Sequence, residues 1–124
     1  MKSRRALISV VDDDESIRES LPDLLSELGF ASQTFSSAEE FLGSASIEMT
    51  SCLVLDVAMP GMTGPELQAE LASRGHGTPI VFITAQRDET MRPRLLALGA
   101  VECLLKPFSE EDLLKALNTA IGKD

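Results

Sequence analysis

A rhythm limits what this chain can become. Five short apolar runs rich in β-branched residues, at residues 6–11, 30–34, 52–55, 80–83 and 101–105, each give way to a stretch whose apolar residues recur at helical spacing. One such unit every 20–30 residues predicts five strand–helix repeats joined by short loops. Strands that are apolar at consecutive positions need cover on both faces, and right-handed crossovers between parallel strands put helices there. An open, parallel α/β sheet follows.

The helical segments carry their own punctuation. Ile17, Leu21, Leu24, Leu25 and Leu28 form one stripe that stops at Gly29, and Pro22 inside it predicts a kink or a later helix start. Ser37 with Glu40, and Thr63 with Glu66, have the spacing of capping boxes. Phe41 and Leu42 face inward from the second helix. The fourth helix sets Met91, Leu95 and Leu98 before Gly99, with Pro93 tolerated near its start. Ser109 caps a fifth helix whose buried stripe is Leu113, Leu114, Leu117 and Ile121.

The 124 residues fit one domain, residues 1–124, and their 44% apolar share is enough for a core without metal or disulfide staples. Eleven Lys and Arg against 20 Asp and Glu leave a net charge of −9, which argues against a nucleic-acid-binding surface. Cys52 and Cys103 lie in apolar runs with no CxxC spacing, so a reducing compartment is expected. The basic start, MKSRRALISVV, runs into acids without a cleavage pattern or an apolar span of membrane length, and a cytoplasmic protein is the expectation.

Ligands of open α/β sheets bind beyond the carboxyl ends of the strands, where strand order reverses. Strand one ends in Asp12-Asp13-Asp14, strand three in Asp56, strand four in Thr84 and strand five in Lys106-Pro107. In a flavodoxin-like (βα)5 order, 2-1-3-4-5, Asp12, Asp13 and Asp56 would share one crevice. Carboxylates so close repel one another unless a cation offsets them, and an oxygen-only donor set suits Mg²⁺. The single histidine, His76, lies at the far end of the third helix and speaks against a soft metal. An in-line attack by Asp56 on a phosphoryl group, with Mg²⁺, Lys106 and Thr84 matching the oxygen charge, would give an aspartyl phosphate. The same residues have plain structural uses: Asp12, Asp13, Asp14 and Thr84 as loop or cap formers, Lys106 as a salt bridge, Asp56 as a turn former.

Taken together, Val11-Asp12-Asp13-Asp14, Asp56-Val57-Ala58-Met59-Pro60-Gly61-Met62-Thr63-Gly64, Ile83-Thr84-Ala85, and Gly99-Ala100 leading to Lys106-Pro107-Phe108 resemble the receiver domain of bacterial two-component response regulators. The likeness covers essentially the whole chain and is greatest to receivers of nitrogen-fixation and nodulation regulators. It implies that Asp56 is the phosphoacceptor and Asp13 a direct Mg²⁺ ligand, with Asp12 in the metal shell through water and the backbone carbonyl of Ala58 as a further ligand. It also implies a switch role for Thr84 and Lys106, a histidine kinase or histidine phosphotransfer domain as partner, and an output face made by helix four, strand five and helix five.

That face carries mixed charges, among them Arg92, Arg94, Glu102 and Lys115, suited to a homodimer or to a downstream effector. No effector, nucleic-acid-binding or membrane segment is expected within this chain. The peptide before Pro107 is a candidate for the cis form. Cys103 departs from the resemblance, because many receivers place a Tyr or Phe three residues before the lysine. Two other functions compete: a receiver-like module that acts without phosphorylation, and a Mg²⁺-dependent phosphohydrolase, against which Ala58 stands where a second acid would be expected.

Overall fold

A computed structural model describes residues 5–122. Five strands, β1 Leu7–Val11, β2 Ala31–Phe35, β3 Cys52–Asp56, β4 Ile80–Thr84 and β5 Glu102–Leu105, alternate with helices α1 Glu15–Glu27, α2 Ala38–Leu42, α3 Gly64–Ser73, α4 Met91–Ala97 and α5 Glu110–Ala120. A 3₁₀ turn, Ile47–Met49, precedes β3. All pairings are parallel and the strand order is β2-β1-β3-β4-β5, the flavodoxin-like order expected.

Side-chain alternation sorts the core into two layers. Ile8, Val10, Val54, Val81 and Ile83 meet Leu21 and Leu25 of α1 and Leu113, Ala116 and Leu117 of α5. On the other face Val11, Leu53, Leu55, Phe82 and Cys103 meet Phe41 of α2, Leu67 and Leu71 of α3 and Leu95 of α4. Every residue of β3 and β4 is buried, which is why these two strands read as unbroken apolar runs. Burying each large aliphatic or aromatic side chain contributes about 1.5–3 kcal/mol against chain entropy.

Local expectations fare unevenly. Helix α1 runs through Pro22 and does not start late: Asp14 accepts from the Ser16 amide, and the cap fixes the start ahead of the proline. Thr63 and Glu66 close a full capping box. The Ser37 hydroxyl takes the Glu40 amide, but the Glu40 carboxylate turns to the amide of Ser36 rather than to that of Ser37. Leu98, expected in the apolar stripe of α4, is 68% exposed, because the helix ends at Ala97 and the chain turns there. Leu114 and Ile121 are half-buried at the margin of the α5 stripe, and Ala116 fills its centre.

Candidate functional site

The geometry at the strand ends follows from register. Ser9, Val10 and Val11 of β1 lie beside Leu53, Val54 and Leu55 of β3, so Asp12 and Asp56 leave the sheet side by side. Asp56 pairs with Ile83 and Thr84 with Leu105, which brings the ends of β4 and β5 to the same rim. Glycine sets the close approach on the far side: a Cβ on Gly64 would lie 2.4 Å from the Asp56 carbonyl oxygen and 3.0 Å from the Phe82 ring. Only a residue without a side chain lets α3 start this close to the end of β3.

One carboxylate oxygen from each of Asp12, Asp13 and Asp56 falls within a 4.8 Å cluster, with Asp13 exposed and the other two buried. Both oxygens of Asp12 are engaged: Oδ1 accepts from the Asp14 amide at 2.9 Å, and Oδ2 accepts from Lys106 Nζ at 2.8 Å. Lys106 Nζ also stands 3.7 Å from Asp56 Oδ1. Burial, and after it the charge of Asp12, pushes the Asp56 carboxyl up to about 7, with Lys106 pulling the other way. Burial works against the Lys106 charge too. The hydrogen bond to Asp12 and the charges of Asp12, Asp56 and Asp14 outweigh it and raise the ammonium above its ordinary value.

Thr84 is buried at the tip of β4; its hydroxyl oxygen accepts from the Gln86 amide at 3.0 Å and its carbonyl from the Lys106 amide at 2.7 Å. It thus shapes the β4–α4 loop rather than capping α4, whose start at Met91 follows Thr90. Ala58 lies exposed in the loop two residues beyond Asp56. The Lys106–Pro107 peptide is cis. Cys103 sits in β5 on the α4 side of the sheet and lines a cavity of about 480 Å³ with Thr84, Met91, Pro93 and Leu105. Burial pushes the Cys52 thiol up to about 12 and raises that of Cys103, so neither is a thiolate near neutral pH.

Two supporting contacts escape the sequence reading. Arg18 Nη1 donates to the main-chain carbonyl of Asp12 at 2.9 Å. Glu39 Oε2 accepts from the Met62 amide at 3.1 Å, bracing the β3–α3 loop at Gly61, which has φ +74°. The only signal for Arg18 was its place as the lone cation in the run DDDESIRE. Nothing near Glu39 in the sequence points to residue 62, since the contact joins helix α2 to a loop 23 residues further along the chain.

A five-stranded parallel sheet in this order, with three carboxylates and a lysine gathered at its carboxyl rim, defines a class of phosphorylatable signalling domain. The chain belongs to the response regulator receiver domain family, which matches residues 8–118. It is 43% identical over 122 residues to Nodulation protein W of Bradyrhizobium diazoefficiens, covering 98% of this chain and 54% of that protein. It is 35% identical to the transcriptional regulatory protein FixJ of Azorhizobium caulinodans, covering 94% of this chain and 55% of that one. Among solved structures, the response regulator StyR superposes with a TM-score of 0.87 at 46% identity, over 96% of this chain and 60% of that one. FixJ-N superposes at 0.85 and 33% identity, over 97% and 96%. This chain therefore spans about half the length of the curated relatives it matches. It is a two-component receiver domain, and its clustered carboxylates, Asp12, Asp13 and Asp56, are typical of phosphoaccepting receivers. Among the described residues no helix is long and apolar enough to cross a membrane.

Proposed function

We propose that this receiver accepts a phosphoryl group on Asp56 from the phosphohistidine of a histidine kinase or histidine phosphotransfer domain. An Asp56 carboxylate oxygen attacks the phosphorus, the P–O bond forms as the P–N bond breaks, and the imidazole leaves with the electron pair and takes up a proton. The carrying observation is the convergence of Asp12, Asp13 and Asp56 within 4.8 Å, with Lys106 3.7 Å from the attacking group.

The donor set fits Mg²⁺: the cluster is all oxygen, and the mutual repulsion that lifts Asp56 is what a divalent cation would relieve. Asp13 and Asp56 offer carboxylates, the Ala58 carbonyl a backbone oxygen, and Asp12, with both oxygens already engaged, suits contact through water. Bound there, Mg²⁺ would supply charge neutralisation at the phosphoryl oxygens. Lys106 holds a proton at Nζ and presents positive charge beside Asp56, and the Thr84 hydroxyl retains its proton for donation to a phosphoryl oxygen.

The output surface proposed is the α4–β5–α5 face, which pairs two copies of this chain or docks an effector. The names of the relatives as transcriptional regulators favour an effector in the half of such proteins that this chain does not cover. A single independently folding unit, residues 1–124, is part of the same reading.

Incubation with Mg²⁺ and acetyl phosphate should add one phosphoryl group by mass spectrometry, and Asp56→Asn should abolish it. An adduct that persists in the mutant removes the proposal. A second reading, signalling without phosphorylation, draws on Cys103, where a small thiol borders a cavity. Partner binding undiminished in Asp56→Ala would favour it.

A further inference from the structure

Residues 12–19 hold five acids and one cation, Arg18. Simple electrostatics would pair that cation with a carboxylate, yet no carboxylate of the described residues lies within 4.0 Å of its guanidinium. Instead the half-buried side chain folds back along α1, over the turn N-terminal to its own Cα, and Nη1 donates to the carbonyl of Asp12. This carbonyl belongs to the peptide that joins Asp12 to Asp13. Asp12 itself is fixed by three further bonds: its amide to the Phe35 carbonyl, Oδ1 from the Asp14 amide and Oδ2 from Lys106. Asp13 is exposed and has no comparable set of restraints. One of its carboxylate oxygens nonetheless lies within 4.8 Å of those of Asp12 and Asp56, and the nearest fixed group on its own chain is the peptide plane before it.

We infer that Arg18 is a positioning residue for Asp13: by fixing the Asp12–Asp13 peptide, it sets the third carboxylate of the cluster and so the affinity of the site for a divalent cation. The inference rests on the metal reading above, and groups that orient ligands characteristically cost 10–100-fold in metal affinity when removed. A guanidinium brings its donor to the carbonyl in a rigid fork, whereas an ammonium on a flexible stem can replace the bond with less angular control.

The test is a Mg²⁺ titration followed by amide chemical shifts in the wild type, Arg18→Ala, Arg18→Lys, Asp13→Asn and Arg18→Ala/Asp13→Asn. Arg18→Ala should weaken Mg²⁺ binding about tenfold with Tm nearly unchanged, and Arg18→Lys should recover a large part of the loss. In the Asp13→Asn background, Arg18→Ala should have little further effect, because the residue acts through Asp13. Equal Mg²⁺ affinity in Arg18→Ala and the wild type, additive losses, or a loss accompanied by a large fall in Tm would overturn the inference. A wild type indifferent to Mg²⁺ would instead sink the metal reading. The inference would then be judged on the metal-free spectra, where Arg18→Ala must shift the Asp12, Asp13 and Asp14 amides ahead of all others, and unchanged shifts there would refute it.

Discussion

Asp56 carries opposing demands. Its backbone completes a fully buried strand, while its carboxylate must ionise among two other acids, and the outcome is a group raised to about 7 from the usual range near 3.8. Between those values the folded protein keeps a proton that the unfolded chain has released. The stability tied to this group is therefore present in full below about pH 4, falls as pH rises toward 7, and is flat above that. Without divalent cation, urea melts of the wild type should show a loss of a few kcal/mol over that interval, of which Asp56→Asn should recover the greater part near neutral pH and little near pH 4. A mutant whose stability runs parallel to the wild type across the range would mean that Asp56 is not the raised group. Asp14, only two positions from Asp12, behaves oppositely: hydrogen bonds from the Ser16 hydroxyl and amide hold it below its ordinary value, and its work is to start α1.

The elements around the site differ in how much change they tolerate. The α3 start is packed against backbone, so Gly64→Ala must displace either the Asp56 carbonyl or the helix; a loss of about 2–3 kcal/mol in denaturant unfolding and slower acquisition of phosphate are expected. Between the β4–α4 loop, α4 and β5 lies a cleft open to solvent. This cleft of about 480 Å³ beside Cys103 leaves space for a ring, and Cys103→Phe should unfold within about 1 kcal/mol of the wild type. A cost well above that would show that the space is closed to a side chain from β5. This contrast was only partly legible in the sequence. The smallness of Cys103 and the glycine at residue 64 are plain to read, but whether a small residue marks a tight contact or a void depends on what packs opposite.

On the scale of the whole molecule, the two helical layers cover the sheet, and the α4–β5–α5 face carries the mixed charges that a second copy could meet. Arg92 and Glu102 are already joined there, Nε to Oε1 at 2.7 Å and Nη2 to Oε2 at 3.1 Å, so part of the charge available for pairing is spent within the chain. Light scattering should report a shift from monomer toward dimer on phosphorylation, weaker at high salt. A monomer at high protein concentration in both states would remove the dimer proposal. The βα rhythm, the helix caps at Ser37, Thr63 and Ser109, and the acids placed just after strands one and three were determined by the sequence itself, because periodicity, capping and strand-end placement depend on neighbours a few residues away. Three other features were decided only by the tertiary fold: the gathering of Asp12, Asp13 and Asp56, the grip of Lys106 on Asp12 from 94 residues away, and the bracing of the β3–α3 loop by Glu39. Directed hydrogen bonds and packed contacts are settled to within an ångström by tertiary structure, and a one-dimensional pattern does not hold that distance.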